Sequence, residues 1–143
     1  MAFASSRPRT GSALRLAIRA TLDAAGLPPD GLGHVNAHGI GTPEADRIEA
    51  EAIAATLGTV PVTAPKSFFG QLGAGGGAVE LAASVLGLEA GIVPPTLNYD
   101  TADPLCPVNV VHGGPRPARS GTALAVNVCS MGQAAAVLVA AAE

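Results

Sequence analysis

Two polar residues stand where α/β proteins commonly carry chemistry, directly after a predicted strand. His38 follows the strand-like segment HVNA in a glycine-flanked turn, and Lys66 follows the segment VPVTAP. A neutral imidazole at a strand end can donate or accept a hydrogen bond at a reacting carbonyl group. A lysine before a glycine-rich turn can hold a carboxylate or tune a neighbour's charge. Taken alone, the histidine equally fits a satisfied core or surface position, and the lysine a solvated loop.

Two further motifs suggest chemistry that the surrounding sequence does not support. Residues Gly73 to Ala78 match the loose dinucleotide fingerprint GxGxxA, but the preceding strand ends near Ala64 and no ribose-binding acid follows at the required spacing. Tight backbone packing explains these glycines better. Cys129 also follows a strand, yet another strand is predicted after it, so no helix N-terminus activates the thiol. We therefore expect neither a dinucleotide site nor a nucleophilic Cys129.

Helices and strands alternate along the chain in a pattern typical of α/β proteins. Apolar spacing predicts a helix over 12–25, and Thr42 followed by Pro43 predicts the start of another that runs to about Leu57. An Ala/Leu/Val-rich segment predicts a third helix over about 77–89. Strands are predicted at 34–37, 60–64, 109–112, 122–128 and 135–140. The expected fold is a mixed five-stranded sheet covered by helices. The last two strands are almost wholly apolar, which predicts burial of both their faces.

Composition limits the broad class of the protein. The 143 residues suit one domain, and 48% hydrophobic against 13% charged residues is enough apolar material for a core. We expect a flexible segment at 1–10 and a folded domain at 11–143. No cluster of basic residues forms a stripe, which argues against nucleic-acid binding. No apolar run is long enough to span a membrane, and no cysteine spacing suggests a metal. A cytoplasmic location is expected.

An ordered series of motifs resembles the β-ketoacyl synthase family. VNAHGIGTPEADRIEAEAI is similar to the family segment VNAHGTGTPxNDxxExxA. VTAPKSFFGQLGAGGGAVE followed by IVPPTLN is similar to the family's KSxxGH, GAAGAVE and IPPTLN series. The likeness runs over most of the chain and in the family's order.

The resemblance implies one half of a thiolase-like fold, here the C-terminal half. The family condenses an acyl thioester with a malonyl group on acyl carrier protein and releases carbon dioxide, in fatty acid or polyketide synthesis. Its acyl-carrying cysteine lies in the N-terminal half. The implied partners are therefore acyl carrier protein and an N-terminal ketosynthase half or ketosynthase subunit, with dimer formation expected. No cofactor of the chain's own is implied, because acyl groups arrive on the carrier's phosphopantetheine.

The resemblance assigns site roles at five positions. His38 matches the first family histidine, expected to hydrogen-bond the malonyl thioester carbonyl, and Lys66 matches the lysine that organises the site's charges. Glu80 matches the acid that pairs with this lysine, and Asn98 the asparagine of PTLN, taken as structural. Gln71 stands where the second family histidine belongs. Its amide can donate a hydrogen bond but cannot carry a proton near neutral pH.

Four substrate-binding positions are also implied, two of them altered. Ile40 replaces the first threonine of HGTGT, which removes a hydroxyl beside the substrate, whereas Thr42 keeps the last one. Met131 and Gly132 fall in the segment NVCSMGQ, which is similar to the family loop NSFGFGG. Met131 replaces a gating phenylalanine there, and its backbone N–H is a candidate oxyanion donor.

A non-histidine after KSxxG also resembles chain-length-factor subunits, the ketosynthase-like partners that lack the condensing cysteine. A non-catalytic partner subunit is therefore the alternative to a catalytic half, although His38 does not fit a simple member of that group. In either case, we expect the apolar helix containing LAASVLGL to be exposed in the isolated chain and to bind a partner or a second copy.

Overall fold

A computed structural model describes residues 11–142, so the expected flexible segment 1–10 lies outside the described residues. The helices are α1 (Ser12–Ala25), α2 (Pro43–Leu57), α3 (Lys66–Phe69) and α4 (Gly76–Glu89). The strands are β1 (His34–Asn36), β2 (Pro61–Thr63), β3 (Ile92–Val93), β4 (Asn109–Val110), β5 (Arg116–Pro117), β6 (Thr122–Val128) and β7 (Ala134–Ala140). Single 3₁₀ turns cover Pro29–Gly31 and Gly73–Gly75.

The main sheet has five strands in the order β4-β2-β1-β6-β7. β1 pairs in parallel with β2 and β6, β2 pairs in parallel with β4, and β6 pairs antiparallel with β7. The predicted mixed five-stranded sheet is therefore confirmed. Because β1 and β2 are parallel neighbours, their carboxyl ends lie at one edge, where His38 and Lys66 follow them.

Helices cover the two faces of the sheet. Leu14, Ile18 and Leu22 of α1 and Ile53 of α2 pack with Val35 in one apolar core. Helix α4 lies against β1 and β6 on the opposite face. Side chains alternate along β1, so His34 and Asn36 point to the α4 side while Val35 points to the core. No helix within residues 11–142 has the length and apolar character needed to cross a membrane.

Helix α2 begins as the sequence predicts. Thr42 is its extended N-cap residue, Pro43 occupies the first turn, and Glu44 and Asp46 lie at the positive end of the helix dipole. The Thr42 side chain makes no capping hydrogen bond. The predicted position of the cap is therefore confirmed, but the helix start is stabilised by backbone geometry and the acidic first turn and not by the Thr42 hydroxyl.

The sequence predicts that both faces of the last two strands are buried, and this prediction is wrong for β7. Ala134, Ala136 and Leu138 pack against the core, but Ala135 is exposed and Val137 is 46% exposed. The reason is topological, because β7 is the edge strand, and α4 contacts it much less extensively than α1 does. An apolar strand sequence therefore does not show whether a strand face is packed within this chain or exposed on its surface.

Other departures are local. Lys66 opens the one-turn helix α3 and is 7% exposed, so it is not a solvated loop residue. The predicted strand at 109–112 is only two residues long, and the short antiparallel pair of β3 and β5 was not predicted. Two-residue strands carry too little periodicity for the sequence to signal them.

His34 provides a test of this packing by the pH dependence of stability. Its ring is fully buried and has no hydrogen-bond partner among residues 11–142, and burial lowers its pKa from 6.5 to about 4. Between pH 6.5 and pH 4, the unfolded chain therefore binds more protons at His34 than the folded chain does. The contribution of neutral His34 to the free energy of unfolding is fully present above the pKa of the unfolded state and is lost as the pH falls toward the pKa of the folded state. We expect His34→Leu to be favoured over the parent by about 2 kcal/mol more at pH 5 than at pH 8. Chemical denaturation at the two pH values measures this difference, and parallel losses in both proteins would contradict it.

Candidate functional site

The turn after β1 is held by a buried acid from helix α2. Glu49 accepts hydrogen bonds from the backbone N–H groups of His38 (2.7 Å) and Gly39 (2.9 Å), one on each carboxylate oxygen. Gly39 has a φ of 47°, and a Cβ at this position would lie 2.7 Å from the Cβ of Ala64. A side chain at position 39 would therefore push the turn away from the end of β2. Together, these contacts fix the backbone that carries His38.

A chain of three charged or polar side chains joins the ends of β1 and β2 to α4. The Lys66 ammonium lies 3.1 Å from His38 Nδ1 and forms an ion pair with Glu80 Oε1. Lys66 can only donate, so Nδ1 must accept and the proton of the neutral ring lies on Nε2. Because His38 lines a cavity, the nitrogen left for that cavity is a hydrogen-bond donor.

Glu80 is held on every side. Its Oε2 accepts a hydrogen bond from Asn127 Nδ2 at 3.2 Å. Its backbone carbonyl accepts one from Asn36 Nδ2 at 2.6 Å, and the same Nδ2 donates to Ser84 Oγ at 2.8 Å. The carboxylate therefore has a separate partner for each oxygen, which fixes the oxygen that faces Lys66.

Burial and charge shift two pKa values in this cluster. Burial, and secondly the Lys66 charge, lower the pKa of His38, while Glu80 opposes the shift. His38 is thus held in its neutral form at physiological pH. Burial raises the pKa of Glu49 to about 7, and the two backbone N–H groups that it binds limit the rise.

The cavity beside His38 has a volume of about 670 Å³. Its walls include five of the predicted binding or catalytic positions, namely His38, Ile40, Thr42, Met131 and Gly132. Met131 lines the cavity and is 71% exposed, so most of its side chain is in contact with solvent. Cys129 also lines this cavity, and its Sγ lies 3.7 Å from Gln133 Oε1, an acceptor that cannot activate a thiol as a base does.

Gln71 lies apart from this cavity. It lines a second cavity of about 530 Å³ together with Lys66 and Asn98, and Ile40 borders both cavities. A Cβ on Gly76 would lie 3.4 Å from Gln71 Oε1 and 3.9 Å from Glu80 Oε1, so the amide still reaches toward the ion pair. The structure therefore brings His38, Lys66 and Glu80 into one network and leaves Gln71 at its edge.

Asn98 adopts a left-handed backbone conformation with a φ of 56°. The residue before it, Leu97, donates its backbone N–H to Ser67 Oγ at 2.9 Å, which ties this segment to α3. The geometry gives Asn98 a conformational role beside the second cavity and no contact with the ion pair.

Three residues of the site were not predicted from the sequence, namely Glu49, Asn36 and Asn127. Glu49 lies on the buried side of α2, where an unpaired acid would be costly, and that misplaced polarity was a readable signal. Asn36 and Asn127 are polar residues inside or at the end of apolar strands, which is the same kind of signal. What each one binds could not be read without the fold.

The sequence and the fold of this chain have counterparts among known proteins. The family model described as β-ketoacyl synthase, C-terminal domain, matches residues 3–100. The chain belongs to the β-ketoacyl synthase family. The resemblance identified from its motifs is thereby confirmed.

The curated relatives of this chain include subunits of polyketide synthases. The tetracenomycin polyketide synthase ketoacyl synthase alpha subunit of Streptomyces glaucescens is 41% identical over 133 residues, which cover 90% of this chain and 31% of that protein. The beta subunit of the same synthase is 40% identical over 125 residues, covering 85% and 31%. Similarity to the two subunit types is therefore almost equal.

Solved structures agree on the fold. The ishigamide ketosynthase/chain length factor matches with a TM-score of 0.90 at 27% identity, covering 97% of this chain and 36% of that chain. A type II acyl-carrier protein in complex with its ketosynthase bound to the hexaketide, AntDE:AntF, matches with a TM-score of 0.87 at 29% identity, covering 95% and 34%. The predicted half of a thiolase-like fold is confirmed. The chain spans about a third of the length of these relatives.

The Lys66–His38 contact can be tested without an activity assay. Lys66→Met removes a charge that lowers the pKa of His38 and leaves Glu80, which raises it. We expect the pKa of His38 to rise relative to the parent, as followed by NMR titration of its imidazole among the three histidines of the chain. Arg47→Met removes an exposed cation that lies 3.7 Å from Glu51 and should leave His38 unchanged.

A double variant, Lys66→Met with Glu80→Gln, removes both charges of the buried pair. It therefore serves as a control in case Lys66→Met alone unfolds the chain. It should show a smaller rise in the same direction, because the lowering by Lys66 outranks the raising by Glu80. An unchanged His38 titration in both variants would contradict the contact.

Proposed function

We propose that this chain is the C-terminal part of a β-ketoacyl synthase of polyketide biosynthesis. The reaction is the decarboxylative condensation of an acyl thioester with a malonyl group on acyl carrier protein. The observation that carries the proposal is the acceptance of the Lys66 hydrogen bond by His38 Nδ1, which leaves Nε2–H as a donor for the cavity. A fixed donor of this kind suits an oxygen that gains negative charge.

In this mechanism, the malonyl carboxylate leaves as carbon dioxide and its bonding electrons move into the thioester as an enolate. His38 Nε2–H donates to the enolate oxygen as the charge develops. The enolate carbon then attacks the acyl thioester, and the cysteine thiolate leaves. His38 serves as a hydrogen-bond donor here and needs no change of protonation state, which agrees with the burial and the Lys66 charge that keep it neutral.

We assign the acyl-carrying cysteine to a part of the enzyme outside this chain. These relatives are about three times as long, and the described partner of the Cys129 thiol is the Gln133 amide oxygen, which is not a base. The outer face of α4 also exposes apolar side chains, including Leu86 at 64% exposure, with Val79 and Val85 nearby. A surface of this kind suits the packing of an N-terminal half.

The same proposal extends to the partners and setting of the enzyme. Acyl carrier protein delivers the substrates on phosphopantetheine, so no cofactor of the chain's own is needed. The complete enzyme acts as a dimer or as a pair of related subunits. Both Cys106 and Cys129 are free thiols, which suits the reducing cytoplasm.

The decisive substitution is His38→Ala in the complete enzyme. Loss of one preorganised donor should lower the rate of malonyl decarboxylation by about 10²- to 10³-fold. Release of carbon dioxide from malonyl carrier protein measures it. His112→Ala removes an exposed histidine that contacts only the Tyr99 ring among the described residues, and serves as the matched control. Undiminished decarboxylation in His38→Ala would refute the assigned role.

A second candidate function is a chain-length-factor type partner of a separate ketosynthase. Gln71 at the position of the second family histidine favours it, since an amide cannot carry a proton. So does the near-equal identity to alpha and beta subunits. For such a subunit, His38→Ala would leave decarboxylation by the partner intact and alter only product length.

The purified 143-residue chain is expected to show no condensation activity by itself. The reason is chemical, because Cys129 Sγ contacts only the amide oxygen of Gln133 among the polar groups of the described residues, while burial and the nearby Asp103 carboxylate raise the pKa of the Cys106 thiol. Incubation with acyl and malonyl carrier proteins, followed by mass spectrometry of the carrier-bound products, tests this. Detection of a β-ketoacyl product would contradict the assignment of the nucleophile to another part of the enzyme.

A further inference from the structure

Asn127 occupies the junction between the sheet and the cavity wall. It is the second-last residue of β6, and the five residues that follow it, Val128 to Gly132, all line the His38 cavity. This loop is closed on itself, since Cys129 N–H donates to the Gln133 carbonyl at 2.9 Å and Gly132 N–H to the Cys129 carbonyl at 3.0 Å. A contact made by Asn127 therefore fixes the residue directly before the segment that lines the cavity.

The contact that Asn127 makes is with a charged atom of the network. Its Nδ2 lies 3.2 Å from Glu80 Oε2, while Glu80 Oε1 pairs with Lys66. Rotation of the carboxylate would break both bonds at once. Lys66 in turn donates to His38 Nδ1 at 3.1 Å, so the chain of contacts runs without a gap from the loop to the histidine.

Asn36 offers an internal comparison, because it contacts the same residue in a different way. Its amide binds the Glu80 backbone carbonyl and the Ser84 hydroxyl, which anchors helix α4 to β1. Of these two asparagines, Asn127 is the one that binds the Glu80 carboxylate. A purely architectural role would be expected of Asn36, and an electrostatic one of Asn127.

We infer that Asn127 is a positioning residue, whose amide orients the Glu80 carboxylate toward Lys66 and so holds His38 as a donor at the reacting carbonyl. This inference rests on the proposed function and assigns the loop after β6 a second task. The loop lines the cavity, and Asn127 at its start orients the Glu80 carboxylate toward Lys66. The amide is suited to this because it donates at every pH, whereas a carboxyl donates only while it is protonated.

The test exploits that difference by making the donor titratable. In Asn127→Asp, a protonated Asp can donate to Glu80 as the amide does, and the two carboxyl groups share one proton at low pH. As pH rises and that proton leaves, the donor is lost and two like charges face each other. In the complete enzyme, we expect kcat for malonyl decarboxylation to stay near the parent's value in acid and to fall by about tenfold or more at higher pH.

Three controls separate positioning from architecture. Asn109→Asp makes the same chemical change on β4, at the far end of the sheet, and should add no descending limb to the pH profile. Asn127→Leu removes the donor permanently and should be slow at every pH, with KM altered less than twofold. Thermal unfolding of Asn127→Asp should not follow the loss of kcat across the same pH range. A parent-like profile for Asn127→Asp, parent-like rates for Asn127→Leu, or a loss that tracks unfolding would each overturn the inference.

Failure of the proposed function would look different. If the parent enzyme shows no decarboxylation that depends on His38, the proposed reaction is wrong, and the role of Asn127 is then decided by NMR. Added negative charge at position 127 should raise the pKa of His38 relative to the parent, whereas Asn109→Asp should leave it unchanged. An identical His38 titration in Asn127→Asp and the parent would refute the coupling, whatever reaction the site performs.

Discussion

The buried ion pair between Lys66 and Glu80 is the constraint on which the rest of the site depends. Both side chains are almost fully removed from water, and removal of one partner from such a pair costs about 3–5 kcal/mol because the other charge is left uncompensated. Each charge is therefore surrounded by further partners. His38 borders the ammonium, and Asn127 binds the second carboxylate oxygen. The network that orients the histidine is thus the network that makes the buried charges tolerable.

A separate device fixes the backbone around that network. Glu49 binds two successive N–H groups of the turn that carries His38, and its own burial raises its pKa to about 7. The close approach of Gly39 to Ala64 holds the same turn against the end of β2. Position and protonation of the histidine are consequently set by different residues, one group from α2 and one from α3 and α4.

Much of this arrangement could be predicted from the sequence, because the signals are local. Periodicity gave α1, α2 and β6 close to their observed bounds, and the ordered motifs around His38 and Lys66 indicated the family. The burial of Lys66 and the wrongly predicted coverage of β7 depend on what packs against them, which no local pattern encodes. Likewise, Asn127 was readable as a polar residue at the end of an apolar strand, but its partner lies 47 residues away in the sequence. Contacts of that range need the topology first.

The strict alternation of β1 has a consequence for how this gene can change. Val35 and Ala37 belong to the apolar core, whereas His34, Asn36 and His38 occupy the other side of the strand. Insertion or deletion of a single residue within β1 would place the polar side chains on the side of the apolar core and the apolar side chains on the opposite side. This segment therefore tolerates substitutions better than changes of length, and length variation is expected in exposed connections such as residues 100–105.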